Sequence, residues 1–295
     1  MRWSRRSSPK PASDERLFDD GLLWALKGLS LPRRKALGAV PGAHAGGRPG
    51  RGEDFFQHRA YVSGEDLRTV DFRASARSGH LLVKELHRPL RQPLVVVVDQ
   101  SASMGLFGKA RCARQVGAAI AVLALRRGDP VTVLGIDAVG LTLNGRLLST
   151  AHPTLAVEEA FSGLPDVDEA QLFDALAGPF PGPVYGAHLV VVSDLYGDVG
   201  RARAAFMRLL PRGAALTVLQ VLAAEERALP AGVAGLHDVE TGEEAVVGAD
   251  GAAEYARRVE AWRAALQQMV EGSGGEWRPV DAGEPVGLMM RRWLG

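Results

Sequence analysis

The stretch that decides the fold is Leu94-Val95-Val96-Val97-Val98-Asp99-Gln100-Ser101-Ala102-Ser103-Met104-Gly105. Its first five residues are apolar without interruption, and four of them are β-branched. A continuous run of this kind is typical of a strand that is covered on both faces, as strands of a parallel sheet are. The polar residues that follow at once predict that the strand ends at Val98 and that a turn begins with Asp99.

The chain from residue 93 onward alternates between strand and helix patterns. The predicted strands after the first are 131–136, 189–192, 216–222 and a short one near 277–280. The predicted helices are 109–125, 154–163, 169–177, 199–210, a long amphipathic one from Ala252 to Met269, and a terminal one from Pro285. This alternation predicts an α/β fold with a doubly wound, mostly parallel sheet and helices on both faces.

An antiparallel strand is predicted at the edge of this sheet. The segment 141–148 contains Asn144-Gly145, a pair typical of tight hairpin turns.

Three domains are predicted along the chain. Residues 1–16 are polar and rich in Pro and Ser, which predicts disorder. Residues 17–92 form an N-terminal accessory segment with a helix that begins near Phe18, and residues 93–295 form the α/β domain. Residues 1–92 have a charge balance of +8 and the remainder −7. The basic part could bind an acidic partner, or the two parts could neutralise each other within one molecule.

A candidate site lies where the strands end, because ligands of such folds bind beyond the carboxyl ends of the strands. Asp99, Ser101 and Ser103 follow the first strand, and Asp194 follows the strand at 189–192. Carboxylate and hydroxyl oxygens suit Mg²⁺. Alternatively, the two serines cap the next helix and Asp99 accepts hydrogen bonds from loop amides.

The motif D-x-S-x-S after the valine run resembles the metal-ion-dependent adhesion site (MIDAS) of von Willebrand factor A domains. The segment Gly50–Glu85 and the later His237–Glu244 resemble bacterial domain-of-unknown-function family fifty-eight, over roughly residues 40–295. The resemblance implies a von Willebrand factor A-like fold. It also implies a Mg²⁺ site held by Asp99, Ser101, Ser103 and Asp194.

The chain departs from the family pattern at one ligand. The pattern expects a threonine before a Leu-x-x-Ala-Leu helix, and Ala170 occupies that place here. The Mg²⁺ site is therefore expected to lack one oxygen ligand. The resemblance also implies that the chain is a partner of a MoxR-type AAA+ ATPase in the assembly or maturation of other proteins.

The segment Gly50–Glu85 contains charges of both signs at close spacing. Two interpretations are open: a structural network in which the charges pair with one another, which is favoured, and a ligand site. The residues concerned are Arg59, Glu65, Asp66, Arg68, Asp71, Arg73 and Arg77.

The sequence favours a protein-binding function over an enzymatic one. No G-x-S-x-G nucleophile elbow, P-loop or zinc-ligand spacing is present. Two alternatives remain: a Mg²⁺-dependent phosphatase-like hydrolase that uses Asp99, and a metal-free structural adaptor. Basic clusters without interleaved aromatics argue against nucleic acid. Short apolar runs argue against a membrane. The single Cys112 suits the cytoplasm, where we expect it to be a buried, inert thiol.

Overall fold

The computed structural model describes residues 16–32, 49–50, 54–87, 91–136, 140–148, 150–164, 171–182, 184–209, 213–229, 235–237, 244–246 and 251–295. The segment 1–16, for which disorder is predicted, lies outside these residues except for Arg16. Ala170, predicted to stand in the place of a ligand, also lies outside them.

The helices and strands of the described residues are numbered along the chain. The helices are α1 Asp20–Ala25, α2 Phe72–Ser78, α3 Lys109–Arg126, α4 Pro153–Ser162, α5 Leu172–Ala177, α6 Val199–Leu209, α7 Ala224–Arg227, α8 Gly251–Gly272 and α9 Val286–Leu294. The strands are β1 Pro49–Gly50, β2 Asp54–Ala60, β3 Leu82–His87, β4 Leu94–Val98, β5 Val131–Ile136, β6 Leu141–Leu147, β7 His188–Ser193, β8 Ala215–Leu222, β9 Gly235–His237, β10 Glu244–Val246 and β11 Glu276–Asp281. Among these helices, none is both long and apolar enough to cross a membrane.

A six-stranded sheet organises the larger of two units, which comprises the described residues of 1–39 and 92–295. Its strand order is β11-β8-β7-β4-β5-β6, and every pair is parallel except β5 with β6. The predicted doubly wound, mostly parallel sheet is therefore confirmed. β4 lies in its middle with all five residues buried, as the continuous apolar run indicated.

Alternate residues of β4 face two different layers of helices. Leu94, Val96 and Val98 join a core cluster with residues of α1, α3, α4 and α9. Val95 and Val97 join a second cluster with residues of α5, α6 and α8. This period of two follows from the pleat of a strand, which sends successive side chains to opposite faces.

Asn144 and Gly145 do not form the hairpin turn that this pair favours. Both lie inside β6, which is the antiparallel edge strand that was predicted. The register shifts opposite them, between Val133 and Leu134. The Asn144 side chain donates to the Ala160 carbonyl in α4. A β-bulge thus takes the place of the turn, because the amide has a partner in the neighbouring helix.

The structure divides the predicted accessory segment 17–92. Helix α1 belongs to the larger unit, where Leu22 and Leu26 pack in the same core cluster as Met289 and Met290 of α9. The Asp19 side chain caps α1 by accepting from the Leu22 amide at 2.6 Å. Burial of the apolar face of α1 holds it in this core rather than in a separate segment.

The second unit comprises the described residues of 40–91. It is a small antiparallel sheet in the order β1-β3-β2. Helix α2 lies between β2 and β3 in the sequence. Glu65 accepts two hydrogen bonds from Arg59, at 2.5 and 2.8 Å, which lower its pKa. Asp71 instead caps α2 and contacts His58, and the Ala74 amide is the main cause of its lowered pKa. Of the predicted charges, Arg59 and Glu65 therefore form an ion pair, whereas Asp71 contacts His58 and caps a helix.

Candidate functional site

Asp99 and Ser193 meet where β4 and β7 end. The two strands are paired in register, and the Asp99 amide donates to the Val192 carbonyl at 2.9 Å. The Ser193 hydroxyl donates to Asp99 Oδ2 at 2.6 Å, and the Ser101 amide donates to Oδ1 at 2.9 Å. Burial, together with the nearby Asp194 carboxylate, raises the Asp99 pKa to about 6.

Ser101 and Ser103 bring their hydroxyl groups together. Their Oγ atoms lie 3.0 Å apart, and both side chains are buried. Ser101 precedes the short 3₁₀ turn Ala102–Gly105, but its side chain makes no capping hydrogen bond there. The alternative that Ser101 caps a helix is therefore not what the structure shows. We call the two turns 99–108 and 193–198, which contain all of these groups, the Asp99 edge.

Asp194 forms an ion pair that sequence analysis did not predict. Its Oδ2 accepts from Lys109 Nζ at 2.7 Å, and Oδ1 accepts from the Tyr196 amide at 3.2 Å. Lys109 also donates to Oε1 of Glu226 in α7. The lysine side chain is 0% exposed, so this ammonium is neutralised entirely within the protein.

An aromatic pair packs beside this ion pair. The Lys109 ammonium lies 5.1 Å from the centroid of the Tyr196 ring, which stacks on Trp262 of α8 at 5.1 Å. A ring face attracts a cation, and this attraction strengthens away from water. Burial raises the Tyr196 pKa, so the phenol stays neutral beside the carboxylates.

Two residues of the Asp99 edge have a backbone conformation that is rare for their type. Phe107 has φ 52° and Leu195 has φ 62°, and they are the two non-glycine residues with positive φ in the described part of the chain. Left-handed backbone costs a residue other than glycine about 1–2 kcal/mol. Such residues concentrate at functional sites, where the surroundings impose them.

Gln100 adds an unsatisfied polar group to the same turn. Its side chain is buried, and neither its amide nitrogen nor its oxygen has a hydrogen-bond partner among the described residues. A buried group of this kind costs about 1–3 kcal/mol. Together with the two strained residues, it indicates a turn whose conformation is not optimised for stability alone.

The structure brings together all four residues predicted to bind metal, but their surroundings do not fit a divalent ion. All four are at most 8% exposed. Asp194 is engaged by the Lys109 ammonium, and alanine at 170 offers no side-chain oxygen. No cluster of three or more His, Cys, Asp or Glu residues in the described ranges could hold a metal ion, but the predicted site consists of two aspartates and two serines and is not such a cluster. Binding of Mg²⁺ in solution stays a prediction.

Comparisons with known proteins agree with the resemblance seen in the sequence. Residues 57–268 match the family described as "Protein of unknown function DUF58". "Uncharacterized protein Rv1480" of Mycobacterium tuberculosis (strain H37Rv) is 28% identical over 271 residues, which cover 87% of this chain and 83% of that protein. The prediction of the family is confirmed.

Solved structures similar to this chain include von Willebrand factor A domains. The conserved hypothetical protein BatB from Bacteroides thetaiotaomicron matches with a TM-score of 0.42 at 15% identity, covering 68% of this chain and 96% of that one. The SpRpn10 VWA domain matches with a TM-score of 0.41 at 11% identity, covering 68% and 94%. The sheet order described above is what establishes the fold class here.

Proposed function

The chain belongs to the family of proteins of unknown function DUF58, and from this membership and the geometry of the Asp99 edge we propose that it is a non-catalytic protein-interaction module. The docking surface is the Asp99 edge. The buried polar groups of this edge fix the shape of its two turns, and the exposed residues of the same turns contact the partner.

The observation that supports this proposal best is the exposed aromatic ring of Phe107. The side chain is 41% exposed, although the backbone at Phe107 is left-handed. Gly108 follows with φ 77°, so two successive left-handed residues lead into α3. The protein thus holds an apolar ring at the surface in a costly conformation. Aromatic anchors on rigid supports are typical of the residues that dominate binding energy at interfaces.

The proposed partner is a MoxR-type AAA+ ATPase, as the family resemblance implies. Such a partner needs ATP, and we therefore propose that the interaction takes place in the cytoplasm. The chain would act in the assembly or maturation of other proteins by binding both the ATPase and its client, or by presenting the ATPase to the client.

Binding to the purified, nucleotide-free MoxR-type ATPase of the same organism tests the proposal. Phe107→Asn removes the apolar ring and keeps a residue that tolerates left-handed backbone. We expect this variant to weaken binding by about tenfold or more, as loss of an aromatic anchor does.

Tyr185→Ala is the matched control. Tyr185 is 78% exposed and lies just before β7, at the opposite end of the strands from the Asp99 edge. We expect it to bind like the wild-type protein. Equal binding by wild type and Phe107→Asn would refute the proposed surface. Failure of the wild-type protein to bind would refute the proposed partner.

A further inference from the structure

Lys109 occupies a position that is unfavourable for a charged lysine for two physical reasons. It is the first residue of the 18-residue helix α3, and its side chain is fully buried. The positive end of a helix dipole disfavours a cation, and burial removes the water that stabilises an ammonium. A lysine at such a position needs specific partners, and here these are Asp194 and Glu226.

These contacts join the turns that follow three neighbouring strands. Lys109 begins the helix after β4, Asp194 follows β7, and Glu226 lies in α7 directly after β8. Glu226 is itself held, because its Oε2 accepts from the Ala223 amide at 2.9 Å. Its backbone carbonyl accepts from the Tyr255 hydroxyl at 2.9 Å. One buried cation thus ties the three turns to a common point.

In a metal site a divalent ion also holds several turns together, because it coordinates oxygen ligands from each of them. The sequence has Ala170 where the family pattern expects a threonine ligand, and in the structure the Asp194 carboxylate is paired with an ammonium. We propose that Lys109 is the internal cation of the Asp99 edge: it replaces the divalent ion, and the edge keeps its shape and binds its partner without metal. The inference rests on the proposed function in taking this edge as the docking surface.

Titration of the wild-type protein with divalent metal ions tests the inference directly. We expect no saturable heat with Mg²⁺ or Mn²⁺ in calorimetry. We also expect the melting temperature in EDTA and in millimolar Mg²⁺ to agree within about 1 °C. A saturable single-site heat that Asp99→Ala abolishes would overturn the inference. This measurement does not depend on whether any lysine variant folds.

Lys109→Ala gives a sharper test, because it removes the ammonium and leaves the two carboxylates that contact it, Asp194 and Glu226, beside the vacated space. We expect a lower melting temperature in EDTA and recovery by about 5–10 °C in Mn²⁺ at a hundred times its dissociation constant. Lys109→Met is the matched control: it also removes the charge but fills the space, so Mn²⁺ should not restore it. A Lys109→Ala protein that melts like wild type, or that Mn²⁺ does not restore, would contradict the inference.

Partner binding in two buffers separates this inference from the proposed function. Equal binding of the nucleotide-free ATPase in EDTA and in Mg²⁺ supports both. Binding that requires Mg²⁺ overturns the role of Lys109 and leaves the docking surface intact. No binding in either buffer overturns the proposed partner, and the metal titration still decides whether Lys109 is the cation of this edge.

Discussion

The two aspartates of the Asp99 edge should respond in opposite ways to the same substitution. Asp99 is buried and contacts hydroxyl and amide donors. Asp194 is buried against the Lys109 ammonium. We therefore expect Asp99→Asn to stabilise the protein at neutral pH and Asp194→Asn to destabilise it. Asparagine preserves the size of the side chain in both variants, removes its charge and replaces one acceptor oxygen by an amide donor.

The magnitude for Asp99 follows from its pKa. Burial, and next the Asp194 carboxylate, raise this pKa from 3.8 to about 6. Folding therefore favours the protonated form, and the protein loses stability as pH rises from about 4 to above 6. A difference of one between the pKa values of the folded and unfolded states corresponds to about 1.4 kcal/mol. The ionised carboxylate therefore lowers the free energy of unfolding by about 3 kcal/mol above pH 6. Asp99→Asn should recover much of this amount at pH 8 and little at pH 4.

Urea unfolding in EDTA, followed by tryptophan fluorescence, measures the effect at pH values of about 4, 6 and 8. The difference between Asp99→Asn and wild type is compared across pH, so that other titrating groups cancel. In Asp194→Asn, Lys109 keeps Glu226 as its one carboxylate partner among the described residues, and we expect a loss of about 3 kcal/mol.

A stability difference between Asp99→Asn and wild type that is the same at all three pH values would refute the reasoning. So would an Asp99→Asn protein that is less stable than wild type at pH 8, because the ionised carboxylate would then contribute favourable contacts that outweigh its burial.

Three further outcomes are expected. Burial raises the Cys112 pKa to about 12, so iodoacetamide at pH 8 should label the thiol only after unfolding, and rapid labelling of the folded protein would contradict its burial. Gly197→Ala should lower the free energy of unfolding by about 2 kcal/mol in urea titrations, because φ is 137° and a Cβ atom would lie 3.0 Å from the Phe173 ring. The control is Gly105→Ala, whose Cβ atom would meet nothing within 4 Å and which should change the free energy of unfolding little. A phosphatase assay with Mg²⁺ should show no turnover, and activity that Asp99→Asn removes would establish an enzyme instead.

The central strands were predictable because their sequence and their environment agree. The run 94–98 is apolar throughout and lies between two layers of helices, so its ends coincide with those of β4. The bounds of β5 also match the prediction, although Thr132 interrupts its apolar run. A strand in the middle of a parallel sheet has few alternatives, because a polar residue on either face would be buried.

Local signals failed where a distant contact overrides them. Asn144 and Gly145 favour a turn in isolation, but the Asn144 side chain bonds a carbonyl of α4 and the pair stays within a strand. Helix α1 was recognised from its spacing, but its place against α9 was not, because no pattern in 17–31 indicates a partner more than 250 residues away.

The predicted part of the site is the part contained in two short motifs. Asp99, Ser101 and Ser103 share one turn, and Asp194 follows a parallel neighbour. Lys109 and Glu226 were missed because their contacts join residues 85 and 117 positions apart. One signal was available for Lys109: a cation at the start of a helix runs against the helix dipole and needs an explanation.

The packing of α1 on α9 has a consequence for dividing this protein into fragments. Ala25 lies so close to Gly287 that a Cβ atom added to the glycine would be 2.8 Å from the alanine methyl group. A fragment that starts at residue 93 would uncover this tight seam and leave Met289 and Met290 facing water. Such a fragment should aggregate on expression, whereas one that retains residues 16–32 on the same polypeptide keeps the seam closed.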